Sequence, residues 1–323
     1  MQITKMQSLS EPQGLDVTPR DIEILRGLFE CRILTVEQIA ALHFQDRQEA
    51  ARKRLWKLKK TDLVRERPRR AYEPALLFLS RRALHLLIEQ GHIADYPKLS
   101  IAAYEKRTRV SPLTLRHEIE VNDVKAAFAR AIGTANGLEL ARFSTWPTLI
   151  EFWGYTRRGH RVRVQPDGFL RIRHARAEDT FFLEVDRSSE THWRITQRIE
   201  CYLDFYRRGG LALRNGRSKQ DFREFPFRLL IICRTRERRD NIAAAMLLMH
   251  PPILTMVWLT TFAELCQNAL GSIWIRPVDY RNATVGTEFD PFRTANGAGY
   301  KRDTTREEHI EHVVRKLALF SPG

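Results

Sequence analysis

The chain has 323 residues, 43% hydrophobic and 29% charged, which is enough apolar material for ordinary cores and, at ~150 residues per domain, corresponds to about two domains. No apolar run approaches the ~18 residues of a membrane span, the opening MQITKMQSLSEPQG has no apolar h-region, and Cys31, Cys201, Cys233 and Cys266 form no CxxC pair. A membrane span, a secretory signal and a zinc or disulfide framework are therefore not expected, and a reducing cytoplasm is. Fifty-four Lys and Arg against 39 Asp and Glu give a net charge of +15, which favours a polyanionic partner, nucleic acid ahead of an anionic membrane surface.

Residues 1–16 read as a flexible N-terminus. Thr18-Pro19-Arg20-Asp21 is a helix start, with Thr18 as N-cap, Pro19 in the first helical position and Asp21 favouring the dipole. Ile22, Leu25, Leu28 and Phe29 follow at core spacing. Thr35-Val36-Glu37-Gln38 has capping-box spacing and opens a short second helix through Ile39, Ala40 and Leu42. A third helix covers about 46–60. On it Ala51, Leu55 and Leu58 share one face, and Lys53, Lys57 and Lys60 lie opposite with Arg52 and Trp56 beside them. That layout suits a recognition helix, apolar seam inward and basic face toward a groove of double-stranded DNA. Residues 63–67 and 75–79 read as strands around the basic turn Pro68-Arg69-Arg70, where Arg69 and Arg70 can reach a phosphate backbone. Helix, helix, helix, strand, turn, strand is the order of a winged helix-turn-helix. Residues 47–70 alone hold eleven Lys and Arg against three Asp and Glu, a net of +8. The alternative is a three-helix interaction module whose lysines merely face water, with Trp56 packed under the wing.

A helix over 82–90 and a polar connector punctuated by Pro97 and Pro112 place a boundary near 110. The winged-helix domain is thus 17–110 and a second domain 111–280. The second reads as α/β with a mixed sheet covered on both faces. Helices are expected at 115–132 (ended by Gly133), 194–206, 237–249 and 261–270, and strands at 138–143, 161–164, 180–185, 227–232 and 253–259. Residues 207–223, Gly-rich and basic, read as a mobile loop. Residues 281–323 form a C-terminal tail with a late helix at 305–319.

Residues 157–176 carry seven Arg and one Asp, a second local excess of +6. Within it, Gln165-Pro166-Asp167-Gly168 puts a carboxylate at a strand end beside a turn. Phe182-Leu183-Glu184-Val185-Asp186 puts two more on a strand at i and i+2, on one face. If 161–173 pairs with 180–186, Asp167 and Glu184 approach one another. Carboxylates meeting beside basic residues can hold Mg²⁺ and bring it to a phosphodiester, with Arg161, Arg163, Arg171 and Arg173 lining the path of the DNA backbone. The simpler alternative has Asp167 capping a turn and Glu184 and Asp186 paired with arginines.

Pro166-Asp167 followed by Glu184-Val185-Asp186 resembles the PD-(D/E)XK nuclease superfamily, whose core is helix, three strands, helix, strand. The wider pattern is similar to the replication-relaxation family of plasmids and mobile elements. It combines the N-terminal winged helix, LRHEIEVNDV from Leu115 to Val124, the QPDG and FLEVDR segments, and a helix bearing Arg198 and Tyr202, from about residue 17 to 276. The resemblance implies a DNA-binding protein of plasmid or mobile-element replication or conjugative transfer, working with replication or transfer proteins. It also implies a nuclease-like domain in which Asp167 and Glu184 are metal ligands and Glu118 a third carboxylate. The superfamily's catalytic lysine would stand where this chain has Asp186; Arg198 could supply a displaced positive charge but is a poor general base. A degenerate nuclease core used as a binding platform is therefore the expectation. A Mg²⁺-dependent DNA endonuclease using Asp167 and Glu184 is the alternative, and a winged-helix transcription regulator whose second domain only forms a homodimer or senses a ligand is a third reading.

Overall fold

A computed structural model describes residues 16–96, 100–145, 150–175, 177–187, 191–285 and 316–320. The chain divides into two compact units, Met1–Val110 and Ser111–Gly323. The class is mixed α/β. No helix among the described residues is long and apolar enough to cross a membrane.

The first unit runs α1 (Pro19–Cys31), β1 (Leu34–Thr35), α2 (Val36–His43), α3 (Gln48–Lys60), β2 (Val64–Glu66), β3 (Leu76–Leu79), α4 (Arg81–Glu89) and α5 (Ile101–Thr108). The expected capping box of Thr35 with Gln38 forms, and the expected N-cap Thr18 makes a second one with Asp21, so the starts of α1 and α2 are fixed by their own side chains. β3 is the central strand of a small antiparallel sheet in the order β1-β3-β2. Ile24, Leu25 and Leu28 of α1, Ile39 of α2, Leu55 and Leu58 of α3 and Leu77 of β3 are all buried. Helix α5 falls in what the sequence reads as a polar connector. Its single anchor, Tyr104, is buried and stacks on Phe29 with ring centroids 5.4 Å apart. One aromatic ring is enough to dock two turns of helix, and it leaves no periodic apolar stripe to read.

The second unit runs α6 (Pro112–Thr134), β4 (Leu138–Ser144), β5 (Phe152–Tyr155), β6 (Arg161–Val164), β7 (Gly168–His174), β8 (Ala177–Asp186) and α7 (His192–Arg207). It continues with α8 (Gly210–Arg214), a 3₁₀ turn (Lys219–Glu224), β9 (Arg228–Cys233), α9 (Arg236–Leu247), β10 (Val257–Thr261), α10 (Phe262–Gln267) and α11 (Pro277–Thr284). Five strands form one sheet in the order β10-β9-β8-β7-β4. The three strands β8, β9 and β10 are parallel, and β7 and β4 antiparallel. Phe181, Leu183 and Val185 of β8 pack with α6 and α10 on one face; Phe182 packs with α7 and α9 on the other.

Four expectations need correction. Residues 161–173 are not one strand: Pro166 lacks a donor and the chain breaks at 165–167, so β6 pairs with β5 in a separate two-stranded ribbon and only β7 pairs with β8. The hairpin turn is correspondingly tight, with His174 opposite Ala177. Residues 207–223 are not a loop. Gly209 takes φ +70° to start α8, Leu211 and Ala212 are buried, and Ser218 caps the 3₁₀ turn in a capping box with Asp221. Helix α6 passes through Gly133 to Thr134, and the glycine with positive φ is Gly137. Residues 281–284 belong to α11, and Leu317 bridges to Trp274 with Leu319 buried in the same core. The expected helix at 305–319 lies largely outside the described residues.

The ribbon is seated on α7 at Gly154. A Cβ there would lie 2.7 Å from the Cα and 2.8 Å from the carbonyl oxygen of Cys201, against helix backbone that cannot yield. Gly154→Ala is expected to destabilise the protein by roughly 1–3 kcal/mol, read as a lower midpoint in urea denaturation. An unchanged midpoint would mean the ribbon is not clamped there.

Candidate functional site

The carboxylates singled out by sequence meet at one end of the five-stranded sheet. The backbone N–H of Asp167 donates to the Leu183 carbonyl at 2.9 Å, which extends the β7–β8 ladder and holds Asp167 beside Glu184. Asp167, Glu184 and Asp186 line a cavity of about 320 Å³ together with His117, Arg187, Arg198 and Tyr202. Its floor is apolar, with Ile195, Ile199, Leu229 and Ile231.

Each carboxylate has its own donors. His117 Nε2–H donates to Asp167 Oδ1 at 2.8 Å, and the Val185 N–H donates to Oδ2 at 2.7 Å. Tyr202 O–H donates to Glu184 Oε1 at 2.6 Å, and Arg198 donates to Oε2 at 2.9 Å. Arg238 of α9 grips Asp186 with two bonds, 2.7 and 3.2 Å. Tyr202 and Arg198 are four residues apart on α7 and so present to the same point of β8. Burial is the main force on Glu184: it pushes this carboxyl up to about 7, with the nearby Asp167 charge adding to the rise and Arg198 and Tyr202 opposing it. The hydrogen bond to Asp167 raises His117 above its ordinary value, against its own burial.

Mg²⁺ is the ion the nuclease resemblance implies. Both oxygens of Asp167 and both of Glu184 already accept hydrogen bonds from protein donors. Glu118, the expected third carboxylate, is not among the residues that line the cavity; its neighbour His117 takes that place on α6. Among the described residues no group of three or more His, Cys, Asp or Glu is arranged to hold a metal. With these oxygens already meeting protein donors the donor set does not fit Mg²⁺; Arg198 pairs with Glu184 and Arg238 with Asp186, while His117 and the Val185 N–H hold Asp167.

Sequence reasoning missed two of these partners. LRHEIE contains both His117 and Glu118, and only the helix rotation decides which faces the strand end; Arg238 is 52 residues from Asp186, with no local spacing to reveal it. Arg187, expected near the acids, pairs with Glu120 at 3.2 Å. The arginines expected along one strand are divided between two sheets. Arg161 lies over the Trp153 ring and Arg163 pairs with Glu151 at 2.6 Å on the ribbon. On β7, Arg171 pairs with Glu178 at 3.3 Å and Arg173 with Glu139 at 3.0 Å.

In the first unit α3 buries Ala51, Leu55 and Leu58 and exposes Arg52, Lys53, Lys57 and Lys60. Trp56 is 55% exposed rather than packed under the β2–β3 turn, and Lys60 Nζ sits 4.5 Å from its ring centroid. Arg52 pairs with Glu49 at 2.6 Å, while among the described residues no carboxylate pairs with Lys53, Lys57 or Lys60. Arg69 is turned into the β2–β3 turn, bonded to Glu66 at 2.9 Å and to the Glu73 carbonyl at 2.8 Å. Arg70 remains at the tip, bonded to the exposed Tyr72 hydroxyl at 2.8 Å.

A family model described as replication-relaxation matches residues 25–218. No curated protein and no solved structure matches the chain.

The raised carboxyl and imidazole fix the sign of a pH effect. The folded state holds the Glu184 proton more tightly than the unfolded chain, so stability is full below the ordinary value of 4.5 and falls as pH rises toward about 7. The His117 contribution is likewise present below its ordinary 6.5 and lost as pH rises through its raised value. The melting temperature is expected to fall between about pH 5 and pH 8, and Glu184→Gln to flatten that fall. A parallel pair of curves would show that Glu184 does not titrate in this range.

Proposed function

The chain belongs to the replication-relaxation family, which sets it in plasmid or mobile-element replication, and from that premise we propose that it is a DNA-binding protein of replication or conjugative transfer. Its first unit acts as a winged helix on double-stranded DNA. Its second is a PD-(D/E)XK-like body whose acidic site has become structural. The observation that carries this reading is the face of α3. Its apolar residues are buried inward, and Lys53, Lys57 and Lys60 project outward with no acidic partner among the described residues.

Supporting it, the order of helices and strands matches the winged-helix pattern, and the β2–β3 turn offers Arg70 and Tyr72 at its tip. Lysines act as point charges on phosphates, so they give affinity and orientation; Arg52 and Trp56 are the side chains with shape to read a groove. Arg69 serves mainly by holding the turn that presents Arg70. In the second unit, the arginine and tyrosine donors on the acids and the absence of a lysine at Asp186 support a retired nuclease core. The protein works in the cytoplasm, beside replication or transfer proteins.

Salt-dependent binding to duplex DNA tests the first unit. Replacing Lys53, Lys57 and Lys60 with Ala is expected to weaken binding and to reduce the slope of log K against log salt by about 0.9 per lost contact. An unchanged slope in a gel-shift titration would remove α3 as the DNA reader.

Incubation with plasmid, linear and single-stranded DNA in Mg²⁺ or Mn²⁺ tests the second. No cleavage is expected, Mg²⁺ should leave the melting temperature unchanged, and Asp167→Ala should alter stability alone. Metal-dependent cleavage lost in Glu184→Ala would instead establish an endonuclease.

A further inference from the structure

The ribbon β5–β6 contributes no side chain to the carboxylate cavity. Its pleat sorts its residues by face. Phe152 and Gly154 of β5 and Val164 of β6 are buried, whereas Trp153, Tyr155, Arg161 and Arg163 are exposed. Phe152 stacks on Phe205 of α7 with centroids 4.1 Å apart, so the inner face is consumed by packing. On the outer face Trp153 stands opposite Arg163, and Tyr155 opposite Arg161. The Arg161 guanidinium lies 4.3 Å from the Trp153 ring centroid, and that of Arg208, the residue capping the end of α7, 5.1 Å from the Tyr155 ring. Trp153 is 47% and Tyr155 42% exposed.

Two large aromatic rings standing in water on a small ribbon lose the hydrophobic gain that burial would give them. Here they alternate with guanidinium groups on a surface fixed to a helix by the Gly154–Cys201 approach. Arg158 and Arg161 have no carboxylate partner among the described residues, so the face is positive as well as aromatic. Every nucleic-acid base has a π-face, but a duplex keeps those faces stacked inside; only an unpaired strand can offer them to exposed rings. Arginine planes among the rings extend the stack and meet the phosphates that accompany each base.

We propose that the outer face of β5–β6 binds single-stranded DNA, with bases stacking on Trp153 and Tyr155 and phosphates meeting Arg158 and Arg161. The assignment is independent of the duplex reading of the first unit. A replication protein that holds both forms has a use for separate surfaces, one gripping paired DNA and one an opened strand.

The test titrates the full chain against a labelled oligothymidylate and, separately, a labelled duplex, read by fluorescence anisotropy. The double variant Trp153→Leu with Tyr155→Thr keeps strand-forming side chains and removes both ring faces. It is expected to bind oligothymidylate roughly tenfold more weakly or worse and to bind duplex as before. Trp153→Phe, which retains a ring, should keep most of the affinity. The Lys53, Lys57, Lys60 alanine variant should show the reverse pattern, so failure of one assignment is separable from failure of the other. Circular dichroism and melting temperature check the fold. If the double variant does not fold, Arg158→Glu with Arg161→Glu takes its place with the same expected loss. No binding of oligothymidylate by the wild type overturns the proposal, as does wild-type affinity in a folded variant. Self-association that the variants lose while single-strand binding persists would also overturn it, and would give the face to a second copy of the chain.

Discussion

A carboxylate in the interior of a sheet must find donors or give up its charge, and Glu184 sits under that constraint. It occupies a buried position of β8, between strands on both sides and beneath α7. Its two neighbours Phe182 and Asp186 on the same face are constrained too, one by packing and one by charge. The donors that answer Glu184 come from successive turns of α7, which sets both the rotation of that helix and its height on the sheet. Asp167 in the same way draws in His117 of α6, and Asp186 draws in Arg238 of α9. Three acids at one edge of the sheet thus tie down three helices. Removing one partner from such a pair leaves an uncompensated buried charge, typically a loss of ~3–5 kcal/mol, whereas the intact pair contributes much less. The cluster therefore specifies how the helices sit more than it stabilises the fold.

That arrangement explains how three acids can be held at one end of the sheet by protein donors alone. A nuclease needs its carboxylates to share an open point toward which their lone pairs converge. Here each oxygen of Asp167 and Glu184 meets a protein donor, from α6, from the backbone of β8 or from α7. A lysine at position 186 would add a positive group beside the site, while aspartate adds a third negative one, and Arg238 approaches from α9, on the same face of the sheet as α7, to meet it.

The parts of this protein that could be read from sequence are those written in local spacing. Thr18-Pro19-Arg20-Asp21 and Thr35 to Gln38 carry their hydrogen bonds within four residues, so α1 and α2 start where expected. The buried seam of α3 and the continuous apolar run of β9 are equally local. The meeting of Asp167 with Glu184 was readable because a strand pairing across a short turn converts sequence distance into register. What failed depended on single contacts that leave no periodic pattern. Helix α5 rests on one ring packed against Phe29, and the α8 region on a glycine pair that lets the chain turn under Phe205. The break between β6 and β7 is marked by Pro166, but where β6 then goes is decided by β5, a four-residue strand whose inner face is legible only once α7 lies beneath it.

The charge excess divides along the same lines. Of the basic residues near α3, the arginines are largely engaged. Arg54 donates to the buried Asp21, Arg65 pairs with Asp62 at 2.8 Å, and Arg69 pairs with Glu66. Lys59 joins that last pair at 2.8 Å from Glu66. The guanidinium group, with its fixed fork of donors, is used to shape the unit, while Lys53, Lys57 and Lys60 on the outer face have no carboxylate partner among the described residues. On the ribbon the roles are exchanged: arginine planes lie over aromatic rings, which a lysine could not match in shape. A single count of +15 conceals two different surfaces. One is built of point charges on a helix face, the other of flat guanidinium groups laid over aromatic rings. The residue type chosen at each place, more than the net charge, distinguishes the two surfaces.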